Sequence, residues 1–523
     1  MSKNLLIIFS LTIILFCQCT TSHFDIVIVN GIIHDGSGSA PVQADIGITD
    51  GHIARIGKNL PVKGAAVINA DKLVVAPGFI DIHTHCDRNI LLNDSTKTAK
   101  NYLSQGVTTV VTGNCGEGSP DVGKFFHELD SVGTGLNIVH LIGHGTIRNK
   151  VMGNDNREPT DTELEEMKKI VAAGMKKGAA GISTGLFYTP GAYSSTSELI
   201  ELARVVEGCD GFYATHIRDE SNYTVGLEEA VREAISVGEL TGIRVEISHL
   251  KALGKPVWGS SEKICTLIEE ARSRGVRVFA DQYPYNASST KLAAAIVPAW
   301  ARAGGQMKQR LTDPLLLPRI RKEMAENIDR RGGPETIMII SYPNAPRFDG
   351  KNLAEISTII QKPVVETAVF LIVDGSPSVV SFNMNDSDVV NIMKRDYVMT
   401  CSDGEIEVPG NSFPHPRSYG SFPRKIRKYV FDEKIISMEQ AIRAATSMPA
   451  GMIGLKDRGL IKVGNMADVV VFNPATIREK ATFSNPHQYS SGVEYLLVNG
   501  VLVIDREQYN GKLPGKAIRL NQI

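Results

Sequence analysis

The middle of the chain alternates between two kinds of apolar pattern, and this alternation limits the possible folds more than any other feature. Eight short runs are rich in β-branched and aromatic residues, as buried strands are. They cover 79–83, 107–112, 137–142, 179–183, 212–215, 244–248, 277–281 and 397–401. Stretches with helical spacing of apolar residues separate most of them, and several end in a glycine just before the next run. The pattern predicts an α/β fold with a parallel sheet.

The number of strand–helix units favours one type of parallel sheet. Eight units over this length fit a (β/α)₈ TIM-like barrel better than an open doubly wound sheet. The barrel is predicted to cover 77–454. Its seventh and eighth strands lie far apart in sequence, so we interpret 291–355 as an insertion that forms a lid or small subdomain over the barrel mouth.

The two ends of the mature chain share a different, strand-rich pattern. Short alternating runs occur before residue 76 and again after residue 455, separated by turn signals. Three Asn-Gly or Asp-Gly pairs, at Asn30, Asp50 and Asn499, indicate hairpins. We therefore expect 20–76 and 455–523 to form one small β-sandwich domain together.

The N-terminus carries a targeting pattern. Lys3 precedes an apolar run over 5–16, which is shorter than a membrane span and is followed by Cys17 and Cys19. Residues 1–19 are interpreted as a bacterial lipoprotein signal, with Cys19, or else Cys17, carrying the lipid. An ordinary signal peptide and an uncleaved anchor are the alternatives. The interpretation predicts an exported periplasmic or cell-envelope protein that meets the membrane only through a lipid anchor.

Charge and cysteine content exclude several classes of partner and scaffold. Lys and Arg number 56 against 57 Asp and Glu, so no basic surplus points to nucleic acid. Five cysteines remain beyond the signal segment, widely spaced in a long chain, and do not form a disulfide framework. A small molecule is the expected partner, and oligomeric state is left open.

Residues able to bind metal stand at the predicted C-terminal ends of the strands, where barrel enzymes place their active sites. They are His83, His85, Cys115, His216, His249 and Asp403. A single histidine at a strand end is usually structural, but this set on one rim suits zinc. The spacing of two in His83 and His85 places both side chains on one face of an extended chain. A catalytic zinc lowers the pKa of bound water to about 7, and a nearby carboxylate can move its proton.

These segments together resemble the amidohydrolase superfamily, and within it the N-acyl-D-amino-acid deacylases, or D-aminoacylases. The resemblance is carried by Ala76-Pro-Gly-Phe-Ile-Asp-Ile-His-Thr-His, Gly113-Asn-Cys-Gly, Gly143-His-Gly, Thr215-His-Ile-Arg-Asp-Glu, Ser248-His-Leu-Lys, Tyr283-Pro-Tyr and Ser402-Asp-Gly. It implies a tightly bound zinc on Cys115, His216 and His249. It also implies a weaker second metal position at His83 and His85, which Cys115 could bridge, and Asp403 as general base and then general acid.

The resemblance also implies residues that bind the substrate α-carboxylate, although this assignment is less direct. Lys251 lies two residues beyond His249, and arginine can bind a carboxylate through two hydrogen bonds. Lys251 and Arg417 are implied together with Tyr188 and Ser289. Tyr193 and Tyr283 are alternatives to Tyr188. A few more residues separate Asp403 from Arg417 than the family pattern leads us to expect.

Three functions are compatible with these features. The leading hypothesis is zinc-dependent hydrolysis of N-acyl-D-amino acids to a carboxylate and a free D-amino acid, with D-handedness implied by the resemblance alone. The second is hydrolysis of cyclic amides, as in dihydroorotases and hydantoinases, against which the cysteine at residue 115 and the lack of an evident bridging lysine both count. The third is a ligand-binding lipoprotein with an inactive barrel, which would require a broken site.

Overall fold

The computed structural model describes residues 23–410 and 412–520. The predicted signal segment 1–19, with Cys17 and Cys19, lies outside these ranges. Within them, no single helix is both long and apolar enough to cross a membrane, although the pair Leu353–Ile360 and Val364–Asp374, bent by 91°, meets the criteria of length and composition jointly.

The described residues form strands and helices along the whole chain. The strands are β1 Ile26–Ile33, β2 Val42–Thr49, β3 His52–Gly57, β4 Ala66–Asn69, β5 Val74–Pro77, β6 Phe79–Asp81, β7 Val107–Thr112, β8 Asn137–Gly143, β9 Gly181–Gly185, β10 Phe212–His216, β11 Arg244–Ile247, β12 Val278–Gln282, β13 Ser288–Lys291, β14 Ile337–Ser341, β15 Ser378–Ser381, β16 Val398–Thr400, β17 Val469–Phe472, β18 Val493–Val498, β19 Val501–Asp505 and β20 Gln508–Tyr509. The helices are α1 Lys100–Leu103, α2 Val122–Val132, α3 His144–Met152, α4 Asp161–Lys176, α5 Thr196–Glu207, α6 Leu227–Thr241, α7 Ser261–Ser273, α8 Leu292–Ile296, α9 Ala299–Arg302, α10 Met307–Thr312, α11 Leu317–Arg330, α12 Leu353–Ile360, α13 Val364–Asp374, α14 Asp386–Met393, α15 Arg417–Arg424, α16 Met438–Ala445 and α17 Ser447–Ile453.

Eight parallel strands form the predicted barrel. Their order is β6-β7-β8-β9-β10-β11-β12-β16, so each strand pairs with the next barrel strand along the chain. The first and last strands meet just beyond their C-terminal ends, where Thr84 and Gly404 form a parallel bridge. The amide of Asp403 also donates to the carbonyl of His83 at 2.9 Å. The (β/α)₈ fold is therefore confirmed, and its closure lies at the rim that carries the candidate ligands.

Helix α4 shows how the sequence builds one barrel unit. Thr160 and Glu163 form a capping box at its start, which satisfies amides that no helical carbonyl can reach. Met167, Val171 and Met175 recur with helical spacing and are buried. Gly178 follows the helix with φ of +102°, a conformation that glycine adopts without strain, and the chain turns into β9.

Strands from the two ends of the chain, predicted to form a small β-sandwich together, join in a single nine-stranded sheet. Its order is β20-β19-β18-β17-β5-β1-β2-β3, with β4 beside β1. A bridge between His52 and Met466 brings the β3 edge back towards β17, and the sheet encloses a core of aliphatic side chains. The turns at Asp50-Gly51 and Asn499-Gly500 are confirmed, since each joins two antiparallel strands.

The predicted hairpin at Asn30-Gly31 is wrong. Strand β1 continues through both residues, and its pairing with β2 shifts register between Ile28 and Gly31. Asn30 has φ of 64°, and its amide donates to Asp45 Oδ1 at 3.0 Å, outside the regular ladder. An Asn-Gly pair supplies the left-handed conformation that a bulge needs as well as the one a turn needs.

The insertion between β12 and β16 is a subdomain with its own core. Strand β15 lies between β13 and β14 and pairs antiparallel with both. Helices α8, α11 and α13 contribute aliphatic residues to a separate apolar cluster. The insertion is longer than the predicted 291–355, because its sheet starts at Ser288 and ends at Ser381. It covers one side of the barrel mouth.

Candidate metal and active site

Four of the predicted ligands meet around one sulfur atom. Cys115 follows β7, and its Sγ lies 3.5 Å from His83 Nε2, 3.7 Å from His216 Nδ1 and 3.8 Å from His249 Nε2. All four residues are buried. They stand at or just after the ends of four different strands of one barrel. Residues that are far apart in sequence therefore lie close together at the rim.

The backbone is strained at three of the site residues. Cys115, His249 and Asp403 have φ of 54°, 37° and 49°, the left-handed region that side chains other than glycine rarely occupy. Such a conformation costs on the order of 1 kcal/mol per residue and persists where the surrounding structure enforces it. At each position it bends the chain sharply after a strand, which turns the side chain into the barrel mouth.

The donor set around Cys115 fits a zinc ion. Bond lengths of about 2.3 Å to sulfur and about 2.0–2.1 Å to nitrogen place tetrahedral ligands roughly 3.5 Å apart. The observed sulfur–nitrogen distances of 3.5–3.8 Å match that spacing. Burial lowers the pKa of His216 and of His249, which keeps both imidazoles neutral and able to bind a metal. Burial raises the pKa of the Cys115 thiol, so a cation is needed to stabilise its thiolate.

A second group of donors shares His83 with the first. Asp403 Oδ1 lies 3.3 Å from His85 Nε2 and 3.6 Å from His83 Nε2. Its other oxygen forms an ion pair with Arg417 Nη1 at 2.6 Å. Burial by itself would raise the pKa of Asp403, but the charge of Arg417 and a hydrogen bond from His85 lower it well below its ordinary value. Asp403 is therefore a carboxylate at neutral pH, directed at the metal-binding residues.

Two carboxylates orient the histidines from behind, and the sequence had not identified their full role. Glu220 Oε1 lies 3.0 Å from His249 Nδ1 and also pairs with Lys251. Asp281 Oδ2 lies 3.4 Å from His83 Nδ1, and Asp281 Oδ1 accepts from the His249 amide at 2.6 Å. Such acceptors fix which ring nitrogen of a histidine faces the metal. The available signal was their position: Glu220 follows His216 by four residues, and Asp281 lies one residue before the end of a barrel strand.

Two other polar residues near the strand ends do not join the metal group. Arg218 turns away from it, towards Glu233. His144, at the end of β8, is paired with Glu198 at 2.7 Å. Both therefore stabilise neighbouring structure.

The predicted substrate residues surround one cavity of about 680 Å³ above these donors. Lys251, Arg417, Tyr188, Ser289 and Tyr283 all line it. The Arg417 guanidinium lies 4.8 Å from the centre of the Tyr283 ring. Tyr193 is absent from the lining, which favours Tyr188 and Tyr283 among the tyrosines predicted from the sequence. A small polar molecule can thus reach Asp403 and Cys115 from one opening.

Comparison with known proteins agrees with this site. The model of the amidohydrolase family matches residues 66–307 and 392–504. A D-aminoacylase from Alcaligenes xylosoxydans xylosoxydans is 34% identical over 96% of this chain and 99% of its own length. An N-acyl-D-glutamate deacylase from the same organism is 32% identical over 95% and 96%. The crystal structure of a Bordetella bronchiseptica N-acyl-D-glutamate deacylase, complexed with zinc and a phosphonate inhibitor, has a TM-score of 0.80 and 32% identity, and the match covers 95% of this chain and 100% of that one.

Fold, site and comparisons define the class of protein. The chain belongs to the amidohydrolase family and, within it, to the N-acyl-D-amino-acid deacylases. It is an enzyme of the hydrolase class that acts on amides.

Proposed function

We propose that this protein is a zinc-dependent hydrolase that cleaves the amide bond of N-acyl-D-amino acids and releases a carboxylate and a free D-amino acid. The observation that carries the proposal is the cluster of His83, His216 and His249 around Cys115 Sγ. Asp403 Oδ1 lies 3.6 Å from His83 Nε2, and Asp403 and Cys115 line the same cavity. The D-handedness is supported by the names of relatives that are 32–34% identical over nearly the whole chain.

The donor set indicates how a metal would be held. Cys115, His216 and His249 would bind the tighter ion, and His83 and His85 would contribute to a second position, with Asp403 adjacent. Zinc at this place would polarise the amide carbonyl and make a water molecule easier to deprotonate. The zinc-complexed relative supports this choice of metal.

Asp403 is proposed to move the proton. As a carboxylate it accepts a proton from the water whose oxygen attacks the amide carbon. It then donates that proton to the amide nitrogen, so that the carbon–nitrogen bond breaks and the amine leaves as a neutral group. Arg417 holds Oδ2 of Asp403, which leaves Oδ1 directed towards His83 and His85.

Lys251 and Arg417 are proposed to bind the substrate α-carboxylate, assisted by Tyr188, Ser289 and Tyr283. In the structure both cations are held by carboxylates, Lys251 by Glu220 and Arg417 by Asp403. An arginine has five N–H donors and can bind a second carboxylate while keeping the first. This arrangement would place the scissile amide next to Asp403.

Hydrolysis of cyclic amides is the weaker alternative. A carboxylated lysine that bridges two metals is the feature that such enzymes of the superfamily are expected to show. Barrel strand β9, Gly181–Gly185, contains no lysine, and the donor between the metal-binding histidines is Cys115.

The proposal is tested on the chain without residues 1–19. Bound metal is measured, and amine release is followed from matched N-acetyl-D- and N-acetyl-L-amino acids, with Cys115→Ala in parallel. We expect bound zinc, cleavage of the D series, and loss of both in the variant. Metal binding without cleavage of either series would contradict the substrate class, and cyclic amides would be tested next.

A further inference from the structure

The walls of the cavity differ in charge according to which part of the chain supplies them. The barrel supplies every carboxylate in the lining: Glu117, Glu220, Asp403, Glu405 and Glu407. The insertion supplies two cations, Lys291 and Arg331, and several hydroxyl groups, but no carboxylate. The insertion side of the cavity carries cations and no carboxylate, so a bound ligand is favoured when its negative charge faces the insertion.

Arg331 is the notable member of the insertion wall because it is buried without an acidic partner. It is 2% exposed and follows α11 directly. Its Nε donates to the carbonyl of Ala295 at 3.1 Å, and its Nη1 donates at 3.1 Å to Ser381 Oγ and to the amide oxygen of Asn383. Its guanidinium lies 5.9 Å from the centre of the Tyr223 ring. Within residues 23–410 and 412–520, each of these partners is neutral.

The other buried cations of the cavity are paired. Lys251 contacts Glu220, and Arg417 contacts Asp403. Removing a cation from water is costly unless an opposite charge or a full set of hydrogen bonds replaces the lost hydration. Three neutral acceptors satisfy part of the Arg331 guanidinium and fix its orientation. The remaining N–H groups are suited to an anion that arrives with the substrate.

We propose that Arg331 binds a second carboxylate of the substrate, in addition to the α-carboxylate, and that this enzyme therefore prefers dicarboxylic N-acyl-D-amino acids. The inference rests on the proposed function. The second carboxylate can belong to the amino-acid side chain or to the acyl group, and both present the same planar anion to a guanidinium. Arg331 is then a specificity-determining residue that takes no part in the proton transfer.

The test compares each dicarboxylic substrate with its neutral amide. N-acetyl-D-glutamate is compared with N-acetyl-D-glutamine, and N-succinyl-D-alanine with its succinamyl analogue, for the parent enzyme, Arg331→Gln and Arg331→Lys. We expect the parent to favour the dicarboxylate of at least one pair, and Arg331→Gln to reduce that preference about 10–100-fold, as the loss of a charge-assisted bond predicts. Arg331→Lys keeps the charge and should retain part of the preference. The pair that responds identifies the position of the second carboxylate.

Arg330→Gln is the matched control. Arg330 precedes Arg331 on the same helix end, but it donates to Asn222 and Asn327 and lines a different cavity. Its substitution removes the same charge from the same region and should leave the preference unchanged. Equal losses for the acid and the amide in Arg331→Gln would overturn the proposal, because Arg331 would then bind the α-carboxylate or only support the fold. Thermal unfolding of each variant identifies the second case.

Binding of molecules that the enzyme does not hydrolyse separates this inference from the proposed function. D-glutamate against D-glutamine, and succinate against succinamate, are titrated calorimetrically into the metal-loaded protein. If no N-acyl substrate is cleaved, the proposed function fails, yet a dicarboxylate preference that disappears in Arg331→Gln would still support the subsite. If substrates are cleaved and neither pair shows a preference in either assay, the subsite is refuted and the function stands.

Discussion

Glu220 offers a sharp test of how the metal site is held, because it contacts a predicted ligand without being one. Its Oε1 lies 3.0 Å from His249 Nδ1, and Lys251 binds the same carboxylate. Burial alone would raise the pKa of Glu220, but the charge of Lys251 and a hydrogen bond from His249 lower it well below the ordinary value. Glu220 is therefore charged throughout the working pH range. Glu220→Gln keeps its shape and removes that charge.

The size of the effect follows from the contacts that are weakened. A hydrogen bond to a charged acceptor contributes about 1.5–3 kcal/mol and a neutral one about 0.5–1.5 kcal/mol. The His249 contact alone should then lose about 1–1.5 kcal/mol, which is roughly a tenfold change. The amide also leaves Lys251 without a counter-charge beside a metal ligand. We expect zinc affinity to fall about 10–100-fold, the range typical of such supporting residues.

Competition with a chromogenic chelator measures the zinc affinity, and kcat and KM are measured with and without added zinc. Added zinc should restore most of kcat, whereas KM for the N-acyl amino acid should stay raised because Lys251 has lost its partner. Glu233→Gln is the control, since Glu233 is a half-buried carboxylate that binds Arg218 away from the metal ligands. Zinc affinity within about twofold of the parent would refute the supporting role.

Three other predictions follow from the site, the fold and the N-terminus. Asp403→Asn should keep bound zinc but lower kcat at least about 100-fold, because the amide cannot accept a proton; full activity in a zinc-loaded sample would rule out Asp403 as the base. Burial lowers the pKa of Lys425 from 10.5 to about 8, so the charged form costs the folded protein roughly 3 kcal/mol of stability. Lys425→Met removes this cost but also loses the hydrogen bond to Thr400, worth about 1 kcal/mol. The free energy of unfolding should therefore rise by roughly 2 kcal/mol at pH 7. Because the unfolded chain binds more protons between pH 8 and 10.5, this gain should be complete below about pH 8 and disappear towards pH 10.5 in denaturant titrations; a gain that does not change with pH would contradict it. Cys19→Ala should abolish labelling by a radioactive fatty acid and release the protein from the membrane fraction, and unchanged labelling would point to Cys17 or to no lipid.

The barrel and the rim position of the candidate metal ligands could be predicted because both depend on local pattern. Each strand is a short apolar run, and the residue after such a run must lie at the rim. His83, Cys115, His216 and His249 could therefore be placed there without knowledge of any tertiary contact. The Asn30-Gly31 turn failed for a related reason. The Asn-Gly pair specifies a left-handed backbone conformation. It does not specify whether the chain turns back there or continues as a strand with a bulge.

The unpredicted parts of the site depend on contacts between distant segments. Arg331 is fixed by the carbonyl of Ala295 and the hydroxyl of Ser381, which are 36 and 50 residues away in sequence. The sequence around Arg331 contains no recognisable motif, so nothing in it indicated that this side chain faces the cavity. The insertion itself was predicted too short, because β15 is recognised only by its pairing with β13 and β14.

Asp281 explains why barrel closure and the metal site occur at the same place. It is the last residue but one of β12, accepts a hydrogen bond from the backbone amide of His249 beyond β11, and reaches the ring of His83 beyond β6. The backbone of His83 in turn accepts the amide of Asp403, which follows the last strand. His83, His249 and the proposed proton carrier Asp403 are thus held by contacts at the closure of the barrel. A site built in this way is preorganised by the rigid scaffold, since moving any of these three residues would disturb the contacts that close the rim.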